Sequence, residues 1–338
     1  MKKKIAIIID TTGWAFDNIA HSVKKNINDY EIDIIPGEYF EGNMVKLFLF
    51  CKDYDLIHFM WRGYLSLIKQ NQLEQYVSSL GMDFKEFEDN YIYSKIITFT
   101  VCDELFLYGD EKWRTDEIMK YSKAYFVTSK KLFEIYNKFE KKPETIIHDG
   151  VNLDIFKPKN LSRFENINRN IFVGWAGNSK FVDADGDADM KGVEGIIKPA
   201  IEELKKQNYN VSLNMADRNI KKIDSNNMPE YYNSIDIYVC ASKTEGTPMP
   251  ILEAMAVGVP VITTDVGIVQ EAFGKIEKKY ILKERTVECL VNKIKEMIDN
   301  PKEMSLISEE NLNQIKDWDW SVISKRYKDF FDKFIDNN

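Results

Sequence analysis

The feature that most constrains this chain is a repeated alternation of short, β-branched apolar runs with helical stretches. Lys4 to Asp10 is such a run, bounded by Thr11, Thr12 and Gly13 and followed from Phe16 by Ile19, Val23 and Ile27 on one helical face, which predicts a strand, a glycine turn and a helix. Further strands are predicted at Tyr54 to Met60, Ser94 to Val101, Ala124 to Thr128 and Thr145 to His148, with helices over Leu65 to Leu80, Asp116 to Ser122 and Lys130 to Phe139. Continuous apolar strands separated by helices imply a parallel sheet covered on both faces, because alternating polar positions would otherwise mark the solvent side.

The pattern breaks at Asp149-Gly150 and over the polar stretch Lys157 to Asn170, then resumes. Strands are expected at Ile171 to Gly174, Val211 to Met215, Ile235 to Cys240 and Pro260 to Thr264. The intervening helices fall at Gly192 to Gln207, Pro229 to Asn233, Pro248 to Val257 and Thr286 to Asp299. A chain of 338 residues suits about two domains, read here as 1–157 and 158–318, both doubly wound α/β domains of Rossmann-like type. The last helix, within 319–338, carries Trp320, Tyr327, Phe330, Phe331 and Phe334, more aromatic surface than a terminal element normally leaves exposed, and is expected to pack back on the first domain.

Composition narrows the function classes. The chain is 44% hydrophobic and 30% charged with a formal net charge of −8, which fits a folded protein and argues against a general nucleic-acid binder, since phosphate neutralisation needs a basic footprint. The apolar run Ile5 to Ile9 is too short for a signal-peptide core or a membrane span, so a cytoplasmic location is expected. Cys51, Cys102, Cys240 and Cys289 form no CxxC pair and His21, His58 and His148 no HxxxH pair, so neither a zinc site nor a disulfide framework is expected.

The chemistry concentrates in Ser242-Lys243-Thr244-Glu245-Gly246-Thr247-Pro248-Met249-Pro250-Ile251-Leu252-Glu253-Ala254-Met255-Ala256-Val257-Gly258-Val259-Pro260. A strand ends at Cys240, Gly246 lets backbone approach a ligand, Thr247 is positioned to cap a helix, and Pro248 suits its first position. The helix mouth then faces the carboxyl end of the sheet, where open α/β sheets bind ligands and where amides and the macrodipole suit a diphosphate. Glu253 sits in a nearly apolar helix, where an unanswered buried charge is costly.

These residues resemble the donor-site signature of the family 4 glycosyltransferases of the retaining GT-B fold, and the likeness continues through Thr263, Gly267 and Glu271. Met228 to Asp236 is similar to that family's helix-strand lead-in, and Gly150 to Pro158 to its interdomain crossing. The resemblance implies two Rossmann-like domains facing across a cleft and transfer of a hexose or N-acetylhexosamine from a UDP- or GDP-sugar, with retained configuration, no metal and no further cofactor. It implies a surface-glycan or lipid-linked acceptor. By position it puts Glu245 by the donor sugar, Gly246, Thr247 and Pro248 by sugar and phosphate, and Glu253 on the ribose. Lys191, in Met190-Lys191-Gly192-Val193, matches the family's phosphate-binding Lys-Gly. The family's second cation is absent after Gly174, which is followed by Trp175-Ala176-Gly177-Asn178; Asn178 is counted among the substrate-binding residues, with Lys180 and Arg218 as weak substitutes for the cation.

In the first half the resemblance puts Gly13 near donor phosphate and acceptor and His58 at a strand end close to the substrates. Cys102 stands where members commonly place His, so Asp103 is expected to take over part of that residue's task beside Glu245 and Lys191. A small buried thiol is the simpler reading of Cys102.

Three features compete with this reading. Asp-x-Asp triplets over Asp183 to Asp189 suggest a metal loop, but Ala188 occupies the glycine position of a calcium loop and a solvated insertion explains the run. Asp10-Thr11-Thr12-Gly13 does not complete a dinucleotide fingerprint. The segment 112–142 holds nine basic and four acidic residues among aromatics, fitting either a solvated helix face or a peripheral contact with anionic lipid on the inner membrane face. A catalytically weak sugar-nucleotide-binding partner subunit, and less so an epimerase, are the alternatives to a transferase.

Overall fold

The computed structural model describes residues 2–69, 71–165, 168–181, 186, 189–220 and 222–336. The chain divides into two compact units, Met1–Asp149 with Trp320–Asn338 (unit 1) and Gly150–Asp319 (unit 2). The break falls at Asp149/Gly150, ahead of the polar stretch.

Unit 1 is built on a parallel sheet of β1 (Lys4–Ile9), β2 (Glu31–Pro36), β3 (Leu56–Phe59), β4 (Ile96–Val101) and β5 (Ala124–Val127) in the order β2-β1-β3-β4-β5. Both faces of β1 are covered, which is why its sequence is an unbroken apolar run. Ala6 and Ile8 enter one core with Val45, Phe48 and Phe99, whereas Ile5, Ile7 and Ile9 enter another with Ile19, Val23, Tyr327 and Phe331. The second core explains the aromatic last helix, Trp320–Ile335, which lies beside Ala15–Asn26 and closes that face.

Unit 2 repeats the plan with β6 (Ile171–Gly177), β7 (Val211–Asp217), β8 (Ile237–Cys240), β9 (Val261–Thr264) and the short β10 (Ile281–Leu282), ordered β10-β9-β8-β6-β7. In each unit the first strand is flanked by the second and the third, so the winding direction reverses between β1 and β3 and between β6 and β8. Ligands of such sheets bind outside the carboxyl ends of the strands at that reversal.

Several elements differ from expectation. Strand β2 reads Glu-Ile-Asp-Ile-Ile-Pro, a charged edge strand that a search for apolar runs passes over. Thr145 to His148 makes only an isolated bridge, Val127 to Ile146. Leu65 to Leu80 is not one helix but the 3-10 segment Arg62–Lys69 and the helix Asn71–Ser79. The helix Pro301–Gln314 was not anticipated because its buried stripe, Met304, Ile307, Ser308 and Asn311, is half polar. Among the described residues no helix is long and apolar enough to cross a membrane.

Candidate functional site

The reversal point of unit 2 lies between β6 and β8, and the loops leaving those strands carry Lys191 and Glu245. Their side chains meet, Lys191 Nζ lying 2.5 Å from Glu245 Oε1, and both are about four-fifths buried. The Ser242 hydroxyl donates to the same oxygen at 2.7 Å. Two residues 54 apart in sequence are thus joined into one charged cluster at the place where this topology binds ligands.

Two glycines with positive φ make the approach possible. At Gly192 (φ +70°) a Cβ would sit 2.5 Å from the Ala241 carbonyl oxygen, so only glycine lets the Lys191 turn lie against the end of β8. At Gly267 (φ +49°) a Cβ would collide with the Gly246 carbonyl oxygen and lie 3.1 Å from that of Glu245. The loop bearing Glu245 and Gly246 therefore rests directly on Gly267.

The helix mouth departs from expectation. The helix is Met249–Ala256, with Pro248 (ψ 83°) as its N-cap and Pro250 in its first turn, and no side chain caps it. Met249 N–H donates to the Thr247 carbonyl and Ile251 N–H to that of Pro248, both at 2.8 Å, so first-turn amides expected to face a ligand are already engaged. The Thr247 hydroxyl at this mouth has a buried oxygen with no hydrogen-bond partner among the described residues. An orphaned buried hydroxyl is the kind of group a ligand satisfies.

Glu253, further along the helix, accepts a 2.7 Å hydrogen bond from the Tyr232 hydroxyl at Oε2. Desolvation pushes its pKa up to about 7 and the tyrosine partly opposes this. Asn178, just past β6, accepts from Asn219 Nδ2 at 2.7 Å and from Lys180 N at 3.1 Å. Asp217, at the end of β7, accepts from the Ser179 and Asn219 amides, and these bonds hold its carboxyl below the usual range against desolvation. Lys180 and Arg218 are exposed.

Of the Asp-x-Asp triplets over Asp183 to Asp189, Asp183, Asp185 and Asp187 lie outside the described residues. Asp189 works as a local cap, accepting from Glu194 N at 3.1 Å and Gly195 N at 2.8 Å.

In unit 1, Gly13 (φ +78°) turns the chain after β1, but its N–H donates to Asp17 Oδ2 at 2.8 Å rather than standing open. His58 is a correction. Its ring is fully buried, with Nδ1 2.9 Å from Thr98 Oγ1 and Nε2 3.0 Å from Thr100 Oγ1, and it stacks on Phe126 with Phe331 at its edge. Both nitrogens are used inside the core, and desolvation lowers the pKa to about 3, so the ring is a neutral packing residue with no atom for a substrate.

Asp103, just past β4, is gripped by Arg62, a residue the sequence did not single out. Arg62 Nη2 lies 2.5 Å from Asp103 Oδ1 and 2.8 Å from the Leu105 carbonyl, beneath the Phe106 ring. Arg62 is buried and Asp103 partly exposed, so the arginine fixes a carboxylate that reaches solvent. Burial pushes the Cys102 thiol well up, and it donates weakly to Asp103 at 3.6 Å, which removes it as a nucleophile. Neither Arg62 nor Arg285, a residue behind the Lys191 turn, sits in a motif; only three-dimensional contacts reveal them.

The fold defines the class: two doubly wound parallel-sheet units of the kind found in GT-B glycosyltransferases. Residues 195–314, which include Glu245 and Glu253 but stop short of Lys191, match the family model described as Glycosyl transferases group 1. A stretch of 100 residues, 29% of the chain, is 31% identical to the lipopolysaccharide core biosynthesis mannosyltransferase LpsB of Rhizobium meliloti and spans 28% of that protein's length. Anabaena HepE in complex with UDP and glucose superposes with a TM-score of 0.69 at 14% identity, covering 96% of this chain and 98% of that one. Sucrose-phosphate synthase from Thermosynechococcus elongatus does so with a TM-score of 0.67 at 14% identity over the whole of both chains.

Proposed function

We propose that this protein is a glycosyltransferase that moves a hexose or N-acetylhexosamine from a UDP- or GDP-sugar to a surface-glycan or lipid-linked acceptor, with retained configuration. The observation that carries the reading is the Lys191–Glu245 pair at the reversal point of unit 2, packed on Gly192 and Gly267. As the glycosidic bond breaks, negative charge grows on the leaving diphosphate and the sugar ring becomes oxocarbenium-like. A cation aimed at that charge stabilises the transition state more than the ground state.

Lys191 is assigned that task, in place of a metal ion. Its charge is answered by Glu245; a bound diphosphate competes for the ammonium and frees the carboxylate for the sugar hydroxyls. Gly246, Thr247 and Pro248 are assigned to sugar and phosphate, with the orphaned Thr247 hydroxyl as donor. Glu253 is assigned to the ribose through Oε1, Oε2 being taken by Tyr232. Asn178 is kept as a neutral contact on the donor side, and Gly13 as a close-approach turn in unit 1. Asp103, held by Arg62, stands in for the family imidazole. Nothing favours the partner-subunit alternative over transfer.

Release of nucleoside diphosphate from a panel of UDP- and GDP-sugars, with and without acceptor, tests the reading. Turnover that disappears in Glu245→Ala and Lys191→Ala supports it; tight donor binding with no turnover on any acceptor supports the partner-subunit alternative instead.

A further inference from the structure

Arg285 lies between β10 and the helix Val287–Ile298, outside every motif read from the sequence. Its guanidinium bridges two loops. Nε donates to the Ala241 carbonyl at 2.7 Å, immediately after β8, and Nη2 donates to the carbonyls of Asp189 at 2.7 Å and Met190 at 3.3 Å, immediately before Lys191. Lys243 N–H adds a bond to Met190 O at 3.0 Å, and the space beside Gly192 is closed by Ala241 on one side and Arg285 Nη2 on the other.

We propose that Arg285 is a positioning residue that sets the reach of Lys191, and through it the grip on the diphosphate end of the donor; this rests on the function proposed above. Three charge-assisted bonds from one planar fork to backbone carbonyls fix the 189–190 segment relative to the end of β8. Lysine cannot reproduce the fork, since one ammonium is a point donor on a flexible stem. Removing the strap lets the Lys191 turn drift while the Lys191 and Glu245 side chains remain, and misplacement by about 1 Å is enough to cost on the order of 100-fold in a positioned site.

The test is a double-mutant cycle on the full chain with Arg285→Met and Lys191→Met, reading the affinities for UDP and UMP, and for GDP and GMP, with thermal melting to establish folding. Arg285→Met is expected to weaken the diphosphate at least tenfold, to change the monophosphate less than threefold, and to add nothing in the Lys191→Met background. Arg285→Lys is expected to recover only part of the loss. Equal losses for diphosphate and monophosphate, or additive effects of the two substitutions, would overturn the positioning role. If Arg285→Met is too unstable to assay, Arg285→Lys carries the same comparison. Failure of the underlying reading looks different: Lys191→Met itself then leaves diphosphate affinity unchanged.

Discussion

Replacing Gly267 by alanine probes the site without touching any side chain assigned to chemistry. The new Cβ would lie 2.9 Å from the Gly246 carbonyl carbon and 3.1 Å from the Glu245 oxygen, and nearer still to the Gly246 oxygen. Non-bonded heavy atoms in contact prefer about 3.5–4.0 Å, and the clash with the Gly246 oxygen is the tightest of the three, so relief requires the 245–246 segment to retreat by more than about 1 Å. The φ of +49° adds a left-handed penalty of about 1 kcal/mol for alanine. A retreat of that size shifts Glu245 relative to Lys191, and displacement on this scale costs on the order of 100-fold in a positioned site. Donor kcat/KM is therefore expected to fall by 10- to 100-fold while circular dichroism and cooperative melting persist. A folded Gly267→Ala variant with kcat/KM within threefold of the parent would refute the claim that this loop must rest on Gly267.

Glu277 is a second test, of stability. It is fully buried, accepts from Val261 N at 2.7 Å and Asn311 Nδ2 at 2.8 Å, and burial pushes its pKa up to about 8. Between pH 4.5 and about 8 the unfolded chain releases this proton and the folded chain keeps it. Stability therefore falls as pH rises across that window, by up to about 1.4 kcal/mol per pH unit from this group. Glu277→Gln should flatten that limb in denaturant titrations at several pH values; an unchanged slope would contradict the buried neutral acid. His58→Gln is expected to lower Tm while leaving donor KM within about twofold, and a KM change of tenfold in a folded variant would return His58 to the substrate. In 112–142, Lys141 is committed to the Met119 and Ser122 carbonyls, but Tyr108 and Trp113 nearby are 70% and 42% exposed. If this face meets anionic lipid, charge reversal of Lys130, Lys131 and Lys138 together should abolish co-sedimentation with anionic vesicles, and undiminished sedimentation would discard the contact.

The parallel-sheet architecture was legible because burial on both faces writes itself as continuous β-branched runs, as in Ile5 to Ile9 and Val261 to Thr264. The winding order and β2 were not, since an edge strand alternates charge with apolar residues. At the site, the motif from Ser242 to Pro260 pointed to Glu245, Gly246 and Glu253, and a two-residue Lys-Gly signal pointed to Lys191. The Lys191–Glu245 contact itself spans two loops that only the β8-β6 neighbourhood brings together. Sequence also misjudged the helix mouth, because two prolines delay the helix by a residue and leave Thr247 a buried orphan instead of a cap. Arg62 and Arg285 act on backbone carbonyls and on a distant carboxylate, relations that leave no local pattern.

Titration calorimetry of the intact chain with UDP and GDP, repeated on Lys191→Met and Thr247→Val, tests the central claim most directly. Saturable binding of at least one diphosphate, weakened tenfold or more in both folded variants, is the predicted result. Absence of binding by either nucleotide, or full affinity in both variants, would contradict the assignment of this loop cluster as the donor site.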